Sequence, residues 1–204
     1  MYKSFGKRSL DFVLSAIGIL ILALPMLILG MAIKIDSPGP ALVKQKRVGI
    51  HKTYFYILKF RTMRTDAPKD VPTHLLKEPQ KWLTRIGGFL RRTSLDELPQ
   101  VFNIFCGNMA LIGPRPALWN QDDLIAERDK YGANDVLPGL TGWAQINGRD
   151  ELDIPVKAGF DGEYVKKMSF LFDCKCFFRT ITAVLKAEGV AETGPGEKNS
   201  EEKK

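Results

Sequence analysis

The pattern of apolar and polar positions opens with a long uncharged run. Residues 12–33 contain no ionisable side chain, and lysines or arginines lie on both sides of them. About 22 helical residues at ~1.5 Å each reach roughly 33 Å, enough to cross a ~30 Å hydrocarbon core. Positive flanks are typical of the cytoplasmic side, and Pro25 predicts a kink. The pattern favours a re-entrant membrane helix over a simple span or a removed signal peptide.

Shorter patterns follow a turn cluster at residues 37–40. Two β-rich runs, at residues 41–43 and 54–60, predict a small hairpin joined through residues 47–49. Loops are predicted where prolines or glycines interrupt any period, at residues 65–81 and 138–149. The second loop is glycine-rich and typical of a binding loop.

Helical spacing recurs in the rest of the chain. Apolar residues three to four positions apart predict an amphipathic helix over residues 95–105. Shorter helices are predicted at residues 82–90 and 120–131, and a helix lying in the membrane interface at residues 170–185. The fold class is therefore α+β: a small, mostly helical globular domain with a short β-hairpin. The predicted division is 1–36 for the membrane helix, 37–190 for the domain and 191–204 for a disordered tail.

Composition narrows the class of partner. The 204-residue chain has a net charge of +7 and a pI near 9.3, which suits phospholipid headgroups, nucleotide phosphates or nucleic acid. Aromatic residues interleaved with the basic ones are sparse, which disfavours a nucleic-acid binder. Three cysteines without framework spacing indicate free thiols in a reducing compartment.

An acid pair at a predicted helix start is the densest chemical signal. Ser94 and Glu97 have the spacing of a capping box, and Asp96 would complement the helix dipole. The same position, at the positive N-terminal end of a helix, would keep both carboxylates ionised. It would also attract a phosphate or a metal-bound phosphate. Adjacent acids cannot share one helix face, so one would attack while the other holds a hard cation. Arg91 and Arg92, just upstream, would neutralise phosphate oxygens.

Further candidate residues lie in three other segments. Arg115 stands between two prolines, on stiff backbone, although a loop arginine is commonly just solvated surface. The glycine-rich loop has amides and an arginine able to read a base, sugar or diphosphate, or it is a tight turn around Trp143. These candidates, with the two cations that leave the second predicted strand, are Lys59, Arg61, Arg115, Gln145, Asn147 and Arg149.

Four of these segments carry a family resemblance. Residues 59–63, 94–100, 113–116 and 138–149 occur in the same order as the motifs of the bacterial sugar transferases. These are monotopic phosphoglycosyl transferases that begin glycan assembly on a polyprenol phosphate. The resemblance covers residues 3–186 and includes the N-terminal membrane helix.

The resemblance implies a re-entrant helix, a domain on the cytoplasmic face of the bacterial inner membrane, and dependence on Mg²⁺. Asp96 matches the nucleophile and Glu97 the metal ligand, with both acids near the metal. Leu24-Pro25 replaces the Ser-Pro common at the helix kink. The family's substrate-contacting positions fall on Arg91, Arg115, Arg149 and the acidic Asp161.

These expectations combine into one hypothesis. A phospho-sugar moves from a UDP-sugar to polyprenol (undecaprenyl) phosphate through a covalent aspartyl intermediate, and UMP is released. Two alternatives stay open: a one-step transfer with Asp96 as general base, and a non-catalytic membrane-anchored binding or scaffold protein. The expected partners are the donor, the lipid acceptor and membrane lipids but no nucleic acid, with homo-oligomerisation left open.

Overall fold

The computed structural model describes residues 2–68, 79–148 and 152–185, and these form an α+β domain that is mostly helical, as predicted. Two two-stranded sheets are present in this part of the chain. The helices and strands, in chain order, are α1 (Lys7–Asp36), β1 (Leu42–Val48), β2 (Tyr54–Phe60), α2 (Arg85–Arg92), α3 (Gln100–Phe105), β3 (Ala110–Ile112), α4 (Asp122–Asp129), β4 (Gly139–Thr141), α5 (Ile154–Lys167) and α6 (Phe170–Leu185).

The N-terminal helix α1 is one continuous element of 30 residues that runs through Pro25. It is long and apolar enough to cross a membrane, by length and composition. Its central side chains are exposed, with Leu20 at 79% and Leu24 at 65%. Leucines in contact with water would be costly at about 25 cal/mol per Å², so this face indicates contact with lipid.

Both ends of α1 are attached to the same globular domain. Near the start, Arg8 donates hydrogen bonds to the carbonyls of Ile104 (2.7 Å) and Phe105 (2.9 Å). Near the end, Ile33 is buried in a cluster with Phe60 and Leu90. The start and the end of α1 therefore both pack against the globular domain, while the central part of the helix is exposed.

The hairpin differs in length from the sequence prediction. β1 pairs with β2 in antiparallel register from Leu42↔Phe60 to Val48↔Tyr54. The predicted hairpin is confirmed, but its first strand is longer than residues 41–43, because β1 continues to Val48 into the predicted connection at residues 47–49. In this added part of β1, Arg47 donates hydrogen bonds to the carbonyl of Pro116 and to Gln45 Oε1. Polar residues that find such partners do not end a strand.

The predicted helix over residues 95–105 is divided in two. Residues Leu95–Glu97 form a 3₁₀ turn, and α3 begins only after Pro99. Pro99 has no N–H, so the bond to the carbonyl of Leu95 comes instead from the N–H of Leu98, at 3.3 Å. The predicted capping box is also wrong, since Ser94 has φ +56° and its side chain makes no cap.

α3 is joined to the hairpin by one amide side chain. Asn103 Oδ1 accepts from the N–H of Leu58 (2.9 Å), and its Nδ2 donates to the carbonyl of Tyr56 (2.8 Å). These bonds occupy the otherwise open edge of β2. They place the 3₁₀ turn beside the end of β2, where Lys59 lies.

The remaining elements agree in part with the sequence analysis. α6 has the predicted bounds, and α4 falls within the predicted residues 120–131. α2 begins at Arg85, after Thr84, whose hydroxyl accepts from the N–H of Gly87. The parallel pair of β3 and β4 and the helix α5 are not predicted by the sequence patterns. Residues 69–78 of the predicted loop and the predicted tail lie outside the described part of the chain.

Candidate active site

The acid pair lies in the short 3₁₀ turn between α2 and α3. Asp96 and Glu97 are each 8% exposed, so both carboxylates are largely removed from water. α2 brings Arg91, and β2 brings Lys59, close enough to act on the charge of Asp96. Buried carboxylates are tolerated only with compensating charge or hydrogen bonds, so their partners decide what each acid can do.

Two cations bind one carboxylate oxygen of Glu97, Oε1, and its Oε2 is held less closely. Lys59 Nζ lies 2.7 Å from Glu97 Oε1, and Arg115 Nη2 lies 2.8 Å from the same oxygen. A second nitrogen of Arg115 approaches Glu97 Oε2 at 3.4 Å. Burial alone would raise the pKa of Glu97, but Arg115 and Lys59 outweigh it and hold the pKa well below its usual range. Glu97 therefore stays ionised.

Asp96 is held more loosely, although it is the neighbouring residue. Its Oδ2 lies 3.8 Å from Lys59 Nζ, within ion-pair range but beyond hydrogen-bond distance. Burial and the charge of Glu97 raise the pKa of Asp96, and this rise is opposed by Lys59, Arg91 and Arg115. Cations thus surround Asp96, but they do not occupy its carboxylate oxygens at hydrogen-bond distance.

Arg91 is fixed beside this carboxylate by a threonine. Its Nε donates to Thr62 Oγ1 at 3.0 Å, and burial lowers the pKa of the guanidinium while Asp96 opposes that effect. The close approach depends on Gly87 in α2, because a Cβ there would collide with the backbone of Thr62. Around the acid pair, the three cations Lys59, Arg91 and Arg115 outnumber the two carboxylates, which suits an anionic ligand.

The glycine-rich loop is connected directly to the segment that carries Arg115. The N–H of Gly113 donates to the carbonyl of Thr141, and the N–H of Gly139 donates to the carbonyl of Pro114, both at 2.8 Å. A Cβ on Gly142 would overlap the carbonyl of Gly113, so only glycine allows this approach. The loop and the arginine therefore form one unit next to the acid pair.

The amides of this loop are engaged within the loop itself. Gln145 Nε2 donates to the carbonyl of Leu140 (3.0 Å), and Asn147 Nδ2 donates to the carbonyl of Trp143 (2.7 Å). Gln145 Oε1 is buried and accepts no hydrogen bond in the described residues. An unsatisfied buried oxygen of this kind is an available acceptor for a ligand donor. Arg149 lies outside the described part of the chain.

Two other sequence candidates are placed in structural contacts. Arg61 is 4% exposed and donates to Ser37 and to the carbonyl of Pro38, in the turn that follows α1. Asp161 is 1% exposed and lies 2.6 Å from Arg128 Nη2. Their roles in binding substrate stay predictions. Sequence reasoning missed Arg128 and Thr62, and only Thr62 carried a signal, since it lies in the motif segment 59–63.

The donor set can be tested against a divalent cation. No group of three or more His, Cys, Asp or Glu side chains that could together hold a metal ion occurs among the described residues. Mg²⁺ commonly uses only one or two carboxylates and takes its other ligands from phosphates and water. The two hard-oxygen side chains of Asp96 and Glu97, with Glu97 ionised, fit that requirement.

Comparison with known proteins gives relatives of one kind. The chain is 36% identical to the UDP-glucose:undecaprenyl-phosphate glucose-1-phosphate transferase of Escherichia coli over 86% of its own length and 39% of the relative's. It is 35% identical to the undecaprenyl-phosphate galactose phosphotransferase of Salmonella typhimurium, over 91% and 41%. With the UDP-glucose:undecaprenyl-phosphate glucose-1-phosphate transferase of Caulobacter vibrioides it shares 38% identity, over 88% and 69%.

The chain thus spans about two fifths of the length of the first two relatives. The matched region includes α1, the acid pair, Arg115 and the glycine-rich loop, because the family model for bacterial sugar transferases matches residues 2–187. This match covers most of the chain and agrees with the motif order read from the sequence. The chain belongs to the bacterial sugar transferase family.

Proposed function

We propose that this protein is a phosphoglycosyl transferase that moves a phospho-sugar from a UDP-sugar to polyprenol (undecaprenyl) phosphate. One observation carries the proposal: two adjacent buried acids share a cluster of cations, yet only Glu97 is bound closely by them. Asp96 keeps an oxygen for a reacting phosphorus. The names of the relatives, which act on undecaprenyl phosphate, support the same substrate classes.

In the first half-reaction an oxygen of Asp96 attacks the phosphorus that bears the sugar. A bond forms between that oxygen and the phosphorus, and the bond to the bridging oxygen of the diphosphate breaks. UMP leaves with the electron pair, and the protein carries an aspartyl phospho-sugar. Repulsion between a carboxylate and a diphosphate is reduced by Lys59, Arg91 and Arg115, which surround the attacking group.

In the second half-reaction a phosphate oxygen of the lipid attacks the same phosphorus. The bond to Asp96 breaks, the carboxylate is regenerated, and a polyprenol diphosphate sugar is released. Division into two steps suits a water-soluble donor and a lipid acceptor, which then need not occupy the site together.

Glu97 acts in two ways in this scheme. With Asp96 it would hold Mg²⁺, which when bound supplies positive charge to the diphosphate. Its own negative charge fixes Lys59 and Arg115 in place, so the cations are positioned before substrate arrives. Most of the rate then comes from positioning and charge, because a carboxylate is a weak nucleophile.

We further propose that α1 is re-entrant, with the domain on the cytoplasmic face of the bacterial inner membrane. Support comes from the contacts of Arg8 at one end of α1 and Ile33 at the other with the same domain. A helix crossing the bilayer would separate these ends by roughly 30 Å of hydrocarbon. Cysteines placed at Lys3 and Lys44 should react alike with an impermeant label, and labelling of only one from outside would contradict this topology.

The proposed activity is tested by UMP release. Purified protein in lipid vesicles with undecaprenyl phosphate and Mg²⁺ is incubated with a panel of UDP-sugars. We expect UMP and a lipid-linked sugar diphosphate from at least one UDP-hexose. A protein that releases no UMP from any member of the panel, while it is folded and bound to vesicles, would contradict the proposal.

A further inference from the structure

Helix α6 has two chemically different sides. Its outer side carries large apolar residues that are 43% to 78% exposed, in a stripe with helical spacing: Phe170, Leu171, Phe177, Phe178 and Ile181. Its inner side carries buried Asp173 and Cys176 together with Thr180. A stripe of this size and regularity needs a partner other than water.

The outer side is continuous with the start of the membrane helix. Tyr2 donates to Asp173 Oδ2 at 2.6 Å, and its ring meets that of Phe170 edge to face, with centroids 6.1 Å apart. Lys7 of α1 also lies 2.6 Å from Asp173. Because these contacts fix the start of α6 to the start of α1, the lipid surface that receives α1 also receives the exposed stripe.

Two exposed residues on the flank of α6 contact the glycine-rich loop. Lys175 and Arg179, one helical turn apart, both lie over the indole of Trp143, at 5.1 Å and 5.2 Å from the ring centroid. Trp143 Nε1 also donates a hydrogen bond to Glu163, at 2.7 Å. Cation–π contacts of this kind are worth about 0.5–1 kcal/mol each at partly exposed sites.

A second contact links α6 to β4, at the start of the glycine-rich segment. The hydroxyls of Thr180 and Thr141 are 2.8 Å apart, and Thr180 also donates to the carbonyl of Cys176. Thr141 in turn accepts the hydrogen bond from Gly113, two residues before Arg115. The contacts therefore run from the exposed stripe through α6 to the loop and to the cation that holds Glu97.

We propose that α6 lies in the membrane surface. Its Lys175, Arg179 and Thr180 position the glycine-rich loop, which contains Trp143, for the nucleotide of the donor. The apolar stripe holds the helix in the lipid surface, and the contacts of Lys175, Arg179 and Thr180 connect the helix to the loop. The three side chains are positioning residues, since they act through Trp143 and Thr141. As a role in the donor half-reaction, the proposal rests on the proposed function.

The test combines loop exchange with kinetics on the full chain in anionic phosphatidylglycerol vesicles. Lys175→Met with Arg179→Met removes both contacts to the indole. Lys44→Met with Lys166→Met removes the same charge from two exposed lysines and serves as the control. The amides of Ile146 and Asn147, which are hydrogen-bonded within the loop, are followed by hydrogen exchange.

For the Lys175/Arg179 double variant we expect about tenfold faster exchange at these two amides and a rise of about three- to tenfold in KM for the UDP-sugar. We expect kcat, and KM for undecaprenyl phosphate, to stay near those of the parent protein. The control should match the parent in all readouts. Unchanged hydrogen exchange in the double variant, or equal changes in the control, would contradict the proposed positioning role of α6.

A second variant tests the contact between the apolar stripe of α6 and lipid. Leu171→Glu with Phe178→Glu places charge in the stripe without touching the contacts to Trp143. We expect weaker sedimentation with the vesicles and faster exchange at Ile146 and Asn147. If the variant binds the vesicles less well but the loop amides exchange at the parent rate, membrane contact of α6 does not position the loop. If the parent protein releases no UMP, the proposed function fails, yet the exchange results still decide whether α6 positions the loop.

Discussion

Two groups of buried acids in this protein differ in how completely their oxygens are used. Asp161 lies against Arg128 at 2.6 Å, and Asp173 is bound by Lys7, Tyr2 and Tyr164 at 2.6 to 2.8 Å. Asp96 is nearly as buried, but its nearest cation among the described residues is 3.8 Å away. Saturated acids hold elements of the fold together, whereas an acid left unsaturated among cations can serve a ligand.

The largest expected effect is the loss of turnover in the Asp96→Asn variant. The neutral amide cannot attack phosphorus, so UMP release should fall by a factor of about 10³ or more, a loss on the scale of removing a catalytic nucleophile. Asp135→Asn, at an exposed acid paired with His51, is the matched control and should keep parent activity. An Asp96→Asn variant that still turns over at the parent rate would remove Asp96 from the mechanism.

The same variant should be no less stable than the parent. Burial raises the pKa of Asp96 above its ordinary value of 3.8, so ionising the folded protein at Asp96 costs free energy. The free energy of unfolding therefore falls as pH rises from 3.8 through the raised pKa. The neutral amide of Asp96→Asn does not carry that cost at neutral pH. Urea unfolding should therefore give an equal or higher midpoint than the parent, and a clearly lower one would indicate that Asp96 is structural.

The saturated group should respond in the opposite way. Asp161→Asn leaves Arg128 buried with its charge uncompensated, which should cost about 3 kcal/mol of unfolding free energy. We expect a lower urea midpoint, with donor KM near the parent value under conditions where the variant is folded. If Asp161→Asn lowered activity tenfold or more without loss of stability, Asp161 would belong to the binding site after all.

An intermediate effect is expected for the cation that Glu97 holds. Arg115→Met removes the largest influence that lowers the pKa of Glu97 and one positive charge beside the diphosphate. A charge-assisted contact of this type contributes about 1.5–3 kcal/mol, so kcat/KM for the UDP-sugar should fall by about 10- to 100-fold. Arg64→Met, at an exposed arginine paired with Asp66, should leave kcat/KM unchanged. Equal losses in both variants would indicate a general charge effect.

The smallest effect concerns pH. Asp96 must be ionised to attack, and its pKa is raised, so kcat/KM for UMP release should decline on the acid side above the pH typical of an aspartate. Arg115 opposes that rise, and Arg115→Met should move the decline to still higher pH. A decline that stays in place in the variant would show that another group controls it.

Sequence reasoning reached the acids themselves but not the difference between them. Asp96 and Glu97 are adjacent in the chain, and only the fold brings Lys59 and Arg115 to one of them. Arg128 opposite Asp161 was equally hidden, because the partner of a buried acid lies 33 residues away along the chain. The pair β3 and β4 escaped prediction for a similar reason, since three-residue strands carry almost no period and form through contact between distant segments.

Features with a long local pattern were predicted well. α1 and α6 have enough apolar residues at regular spacing to determine a helix, and the bounds of α6 are those predicted. The 3₁₀ turn of the acid pair depends instead on one proline that lacks an N–H, and a periodic pattern across it does not show this. Local chemistry at Pro99 overrode the 3–4 spacing.

The most direct test of the central claim is the intact mass of the protein after mixing with a UDP-sugar and Mg²⁺ but no lipid acceptor. The account predicts that the parent protein gains the mass of one sugar phosphate, that fragmentation locates it on Asp96, and that undecaprenyl phosphate then removes it. Formation of lipid-linked product by a protein that never gains this mass would contradict the account and favour one-step transfer with Asp96 as general base.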